Sequence, residues 1–153
     1  MAMVRRGSWF VVLCFVVGGL WLVVLRACPC IRVGLHAREW ITPAVMLWIL
    51  EHVLANADTD PDIVKMLNTV DIYFMPVANP DGYEYTWNFV RTWRKNRRVN
   101  AGSNNCFGVD LNRNWDFEWD APGHSKDPCS DLYRGPSPFS EPEPQAIADF
   151  VGR

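Results

Sequence analysis

The sequence has no strong excess of either charge. Lys and Arg number 15 against 17 Asp and Glu, a formal net charge of −2, so the balance gives no reason to expect a nucleic-acid partner. No internal repeat is visible. Histidine is scarce, with three in 153 residues, His36, His52 and His124, and these set the limit on any imidazole-based metal site. The cysteines, at positions 14, 28, 30, 106 and 129, are odd in number and leave at least one thiol unpaired within the chain. Tryptophan is plentiful at eight, and so many large rings need a core or an apolar crevice to receive them. The length allows one domain with a real core.

Residues 1–33 read differently from the rest. Arg5 and Arg6 precede an uncharged apolar run from Gly7 to Leu25. As a helix this run spans roughly 28 Å, about one bilayer core. A basic start before an apolar run also describes a secretory signal, although no small-x-small cleavage site closes it. Signal peptide or membrane anchor, either reading sends the following residues to an oxidising compartment, secreted or membrane-tethered. Residues 26–33 read as a connector and 34–153 as the folded domain.

Within that domain, Ile41, Val45, Trp48, Ile49, His52 and Val53 fall on a helical period. Pro43 is tolerable there because it lies in the first turn. Residues 62–68 predict a short helix. Val70 to Val77 is an apolar, β-branched and aromatic run that predicts a strand buried on both faces, closed by Asn79-Pro80-Asp81-Gly82 as a turn. Phe107 to Leu111 is a short strand candidate. Ser140 to Glu143 has the pattern of a capping box before a last helix. Helix and strand alternate, which predicts an α/β layer fold with a largely parallel sheet.

His36 and Glu39 bring an imidazole nitrogen and a carboxylate oxygen three residues apart, between an expected strand end and a helix start. Both donor types suit zinc, and a catalytic zinc takes three protein ligands plus water. Arg91 to Arg98 offers fixed positive charge, which can stabilise an oxyanion without shedding a proton, or can simply form a solvated basic strip. Asp110-Leu-Asn112-Arg113-Asn114-Trp115 follows a predicted strand end, and an amide beside a guanidinium can clamp a terminal carboxylate; an ordinary Asn-rich turn is the alternative. Cys106 and Cys129 bracket a loop. A disulfide there would contribute about 3 kcal/mol in the loop-entropy picture, with two free thiols as the alternative.

Taken together, Gly34-Leu-His36-Ala-Arg38-Glu39-Trp40-Ile, Pro76-Val-Ala-Asn-Pro-Asp-Gly-Tyr83, Thr92-Trp-Arg94-Lys95 and Asp110 to Trp115 resemble, in order, the motifs of the zinc metallocarboxypeptidases of the carboxypeptidase A and B (funnelin) type. The resemblance implies an α/β/α three-layer fold with a mainly parallel mixed sheet, here incomplete and preceded by an apolar N-terminal helix. It implies Zn2+ as cofactor with His36 and Glu39 as ligands, Arg94 at the scissile carbonyl, and Asn112 and Arg113 at the substrate's C-terminal carboxylate. It places Arg38 and Arg91 along the outer groove and pairs Cys106 with Cys129. The implied partner is a peptide or protein with a free C-terminus. Membrane association would run through Gly7 to Leu25.

The family's third zinc ligand, its general-base glutamate and a capping tyrosine come after the Asn-Arg-Asn-Trp segment, beyond residue 153. His52 stands roughly 20 Å from Glu39 along a helix axis, and His124, Cys28 and Cys30 are weak substitutes. The expectation is a fragment of poor catalytic power. A non-catalytic module that binds peptide C-termini is the other functional reading.

Overall fold

The computed structural model describes residues 2–4, 11–16, 20–22, 30–102 and 105–151. The chain divides into two compact units, one of residues 1–34 and 40–78, the other of residues 35–39 and 79–153.

In the first unit, β1 (Ala2–Val4), β2 (Val11–Val16) and β3 (Leu20–Leu22) form an antiparallel sheet, with Ala2 opposite Leu13 and Cys14 opposite Leu22. An apolar N-terminal helix was the expectation for Gly7 to Leu25. Where that run is described it is strand instead. Valine and aromatic residues as a class favour strand over helix. The rest of the run lies outside the described residues, as does Cys28. No helix among the described residues is long and apolar enough to cross a membrane.

Strand β4 (Cys30–Arg32) pairs in parallel with β5 (Tyr73–Met75), Ile31 standing opposite Phe74. Parallel neighbours need a long crossover, and helices α1 (Ile41–Ala55) and α2 (Pro61–Thr69) lie within it. Asp60 caps α2 by accepting from the backbone N–H groups of Asp62 and Ile63 at 2.9 and 3.2 Å, with Pro61 next in place. Met46, Val53, Leu67, Ile72 and Phe74 form the core. Helix α1 is apolar on most of its circumference, and Trp48 on its outer side is 63% exposed.

The second unit holds α3 (Pro80–Asn88), a 3-10 turn at Leu111–Arg113, and α4 (Pro142–Val151), joined by long loops. Three expectations are corrected here. The segment Asn79 to Gly82 is the start of α3 rather than a closing turn. Asn79 Oδ1 accepts from Gly82 N–H at 2.9 Å, and Pro80 fills the first helical position. The Phe107–Leu111 strand is reduced to one bridge, between Val99 and Phe107. Beyond it backbone and side chain share the pairing: Asn96 N–H donates to Val109 O at 3.0 Å, and Asn96 Oδ1 accepts from Val109 N–H at 2.7 Å. The Ser140 hydroxyl does not cap α4; it donates to Glu141 Oε1 at 2.8 Å, and the helix starts at Pro142. Cys106 and Cys129 form a disulfide, their Cα atoms 4.8 Å apart, within the usual span.

Candidate metal and carboxylate site

The site is built on the short excursion Leu35–Glu39. Its backbone is fixed at its start and its middle: Asn79 Nδ2 donates to Leu35 O at 3.0 Å, and Ala37 N–H donates to Arg94 O at 3.0 Å. Asn79 Nδ2 also reaches Lys95 O at 3.1 Å, so one buried amide ties the excursion, the N-terminus of α3 and the Arg94 segment together. A Cβ at Gly82 would stand 2.6 Å from Lys95 O, which explains a glycine inside the first turn of α3.

His36 and Glu39 face each other. Glu39 N–H donates to His36 O at 3.2 Å, and the turn this closes brings His36 Nδ1 to 2.8 Å from Glu39 Oε1. The other ring nitrogen, Nε2, is buried and lies 3.4 Å from Asp110 Oδ1, without conventional hydrogen-bond geometry. An imidazole whose two nitrogens face two carboxylates has its ring plane set from both sides.

Asp110 has no solvent exposure. Its Oδ1 accepts from Asn112 N–H at 3.0 Å, and its Oδ2 accepts from Arg94 Nε at 3.1 Å and Nη2 at 2.9 Å. Burial opposes charge on this carboxyl, but the contact with His36 and the Arg94 guanidinium outweigh it and hold the group below the ordinary carboxylate value. Sequence reasoning gave Asp110 no role. The signal was present: an acid that follows the apolar stretch Phe107–Val109 into the interior must find cationic or N–H partners.

Asn112 and Arg113 lie in the 3-10 turn that starts at Asp110. Arg113 Nε donates to Gly123 O at 2.8 Å and Nη1 to Asn112 O at 3.0 Å. Both acceptors are neutral carbonyls, so the guanidinium retains its charge for an anion. Behind the turn, fully buried Asn114 donates through Nδ2 to Arg134 O, Ser137 O and Ser140 Oγ, and its Oδ1 accepts from Glu141 N–H. Arg38 and Arg91 meet at the rim: Arg91 Nη1 donates to Arg38 O at 2.9 Å, while Arg38 Nη1 donates to Thr92 O and to Asp131 Oδ2.

The structure therefore brings His36, Glu39 and Arg94 together through Asp110, with Asn112 one backbone bond away. Imidazole nitrogen and carboxylate oxygen within one reach fit zinc as two of its donors. Among the described residues no group of three or more His, Cys, Asp or Glu could hold a metal ion.

Comparison with known proteins agrees with this chemistry. A profile described as zinc carboxypeptidase matches residues 30–153. Carboxypeptidase A2 of Mus musculus is 50% identical over 118 residues, covering 77% of this chain and 28% of the relative. Carboxypeptidase B of Astacus astacus is 47% identical over 118 residues, covering 77% and 38%. The crystal structure of thrombin activatable fibrinolysis inhibitor superposes with a TM-score of 0.80 at 41% identity, covering 88% of this chain and 35% of that one. The chain thus spans less than two-fifths of the length of each of these relatives.

Proposed function

The chain belongs to the zinc carboxypeptidase family, and from that premise we propose that it carries the substrate-anchoring part of a zinc-dependent carboxypeptidase, an enzyme that removes the C-terminal residue of a peptide. The observation that supports this most is the chain of contacts from Glu39 through His36 and Asp110 to Arg94. It sets two zinc donors and one guanidinium in a single rigid frame.

In this reading His36 and Glu39 would hold Zn2+, which when bound would supply an activated water and carbonyl polarisation. Asp110 orients the His36 ring from behind, as an outer carboxylate does for a metal-bound histidine. Arg94, gripped by Asp110 through Nε and Nη2, is the fixed cation for a developing oxyanion. Asn112 and Arg113 hold the terminal carboxylate of the substrate, with Arg38 and Arg91 along the approach. The partner is a peptide or protein with a free C-terminus, and the disulfide fits a secreted chain.

The test uses zinc and peptide binding as well as turnover. Calorimetric titration of the purified chain with zinc should show one site, and His36→Ala or Glu39→Gln should weaken it at least about tenfold, since even the loss of an outer partner of a metal ligand costs that much. A peptide with a free C-terminus should bind, and its amidated twin should not. Equal affinity for the two peptides would sink the carboxylate anchor, and zinc uptake indifferent to both substitutions would sink the metal site.

A further inference from the structure

The geometry points to Asp131 as a specificity-determining residue that masks Arg38, so that a peptide's terminal carboxylate is left to Arg113. This rests on the carboxylate-anchor reading above.

An unmasked arginine near the rim can grip a carboxylate with two parallel hydrogen bonds, so a site that selects chain ends gains selectivity from each competing guanidinium that is matched by an acid. Arg94 is matched by Asp110, with Nη2 and Oδ2 2.9 Å apart. Arg38 is matched by Asp131, with Nη1 and Oδ2 3.0 Å apart. Arg113 donates to Gly123 O and Asn112 O, both uncharged. Arg38 stands on the same short excursion as His36 and Glu39, and a bare guanidinium there would offer a peptide carboxylate a second cation besides Arg113. It would also attract acidic side chains from inside a peptide.

Asp131 is delivered by a stiff loop, although its own side chain is 59% exposed. The Cys106–Cys129 disulfide ends two residues before it. Lys95, almost wholly buried, donates through Nζ to Pro128 O at 2.7 Å. Ser125 N–H donates to Leu132 O at 2.9 Å, and Tyr133 N–H to Ser130 O at 3.2 Å. Together these fix the loop on both sides of Asp131. The disulfide and Lys95 thereby acquire a functional consequence: they hold in place a carboxylate that solvent would otherwise leave mobile.

The experiment compares three peptides of one sequence on the 153-residue chain by calorimetry. One has a free C-terminus and a neutral penultimate residue, the second is its amide, and the third is an amide with aspartate at the penultimate position. In Asp131→Asn the third peptide should gain affinity about fivefold, the upper end for an exposed ion pair. Asp131→Glu should behave like the unsubstituted chain. Adding Arg38→Gln to Asp131→Asn should erase the gain, and raised salt should shrink it. The inference is overturned if Asp131→Asn leaves the third peptide unchanged, or shifts all three alike as a merely structural lesion would. Failure of the anchor reading looks different: the unsubstituted chain would bind the first two peptides equally, whatever Asp131 does to the third.

Discussion

The unit that contains β4, β5, α1 and α2 and the unit that carries the site are held together by different forces. In the first, the buried residues are mostly apolar, Met46, Val53, Leu67, Ile72 and Phe74 among them, with Asp71 as a buried charged group beside them. In the second, the buried set includes Asn79, Lys95, Asn96, Asp110, Asn114 and Glu141 beside Val109, Leu111 and Ile147. An apolar cluster is non-directional and tolerates swaps that conserve volume. A buried polar network specifies one geometry, because each donor that loses its acceptor costs its full desolvation. A site that must hold His36, Asp110 and Arg94 within about half an ångström of a working arrangement needs the second kind of scaffold.

The largest expected effect separates the two directly. Glu141 accepts from Asn96 Nδ2 at 2.7 Å, Arg98 Nη1 at 2.6 Å and Ser140 Oγ at 2.8 Å. Glu141→Ala should cost about 3 kcal/mol, the low end for a broken buried pair because Arg98 is one-third exposed. Phe74→Leu in the apolar core should cost about 1 kcal/mol. Chemical denaturation measures both. Equal costs would break the contrast, and hydrogen exchange sharpens it: Glu141→Ala should expose the amides of Asn96 and Val109 and leave those of β5 protected.

Next in size is the covalent link. The Cys106–Cys129 bridge spans 23 residues, which is worth about 3 kcal/mol on loop entropy, less whatever strain it carries. The double variant Cys106→Ser/Cys129→Ser should fall short of that figure, because Lys95 still holds Pro128. Denaturation with and without reductant gives the number. A loss confined to exchange protection near Gly108 and Tyr133 would agree with a polar scaffold reinforced locally.

The same contrast decides what the sequence made legible. Helices α1 and α2 and strand β5 were readable because an apolar core imposes a period of 3.6 or 2 on the residues that face it. The site unit offers no such period. Asn79 caps a helix while its amide crosses to Leu35 and Lys95, and the Asn96 side chain takes the place of a strand carbonyl for Val109 N–H. A side chain that stands in for backbone leaves no repeating signature, so α3 read as a turn and Phe107–Leu111 as a strand. The site residues stand out in their motifs, but Asp110 and Asp131 do not, and Lys95, read within the Arg91–Arg98 strip as positive charge for an oxyanion or for solvent, is instead almost wholly buried. The importance of the two aspartates lies in partners far away in sequence: Asp110 meets His36, and Asp131 meets Arg38. The apolar start shows the opposite failure, since a long uncharged run fits helix and strand equally by hydropathy, and β propensity decides.

The smallest effect concerns Glu143, in the first turn of α4. Burial raises its pKa above the ordinary value of 4.5, and the nearby carboxylates of Glu141 and Asp81 push the same way, against the pull of its own backbone N–H and the neighbouring Asn96 amide. The folded state therefore holds this proton more tightly than the unfolded chain does. The sign follows from linkage: the stabilisation is fully present below the unfolded pKa and is lost as pH rises through the higher folded one. Glu143→Gln keeps a neutral group at every pH, so it should flatten that part of the stability curve and leave the variant the more stable above it. Denaturation midpoints from pH 4 to pH 8 on both chains provide the measurement. A steeper fall in the Gln variant would mean that the charged form of Glu143 is the one the network wants, and the polar unit would then rest on one more ion pair than its geometry displays.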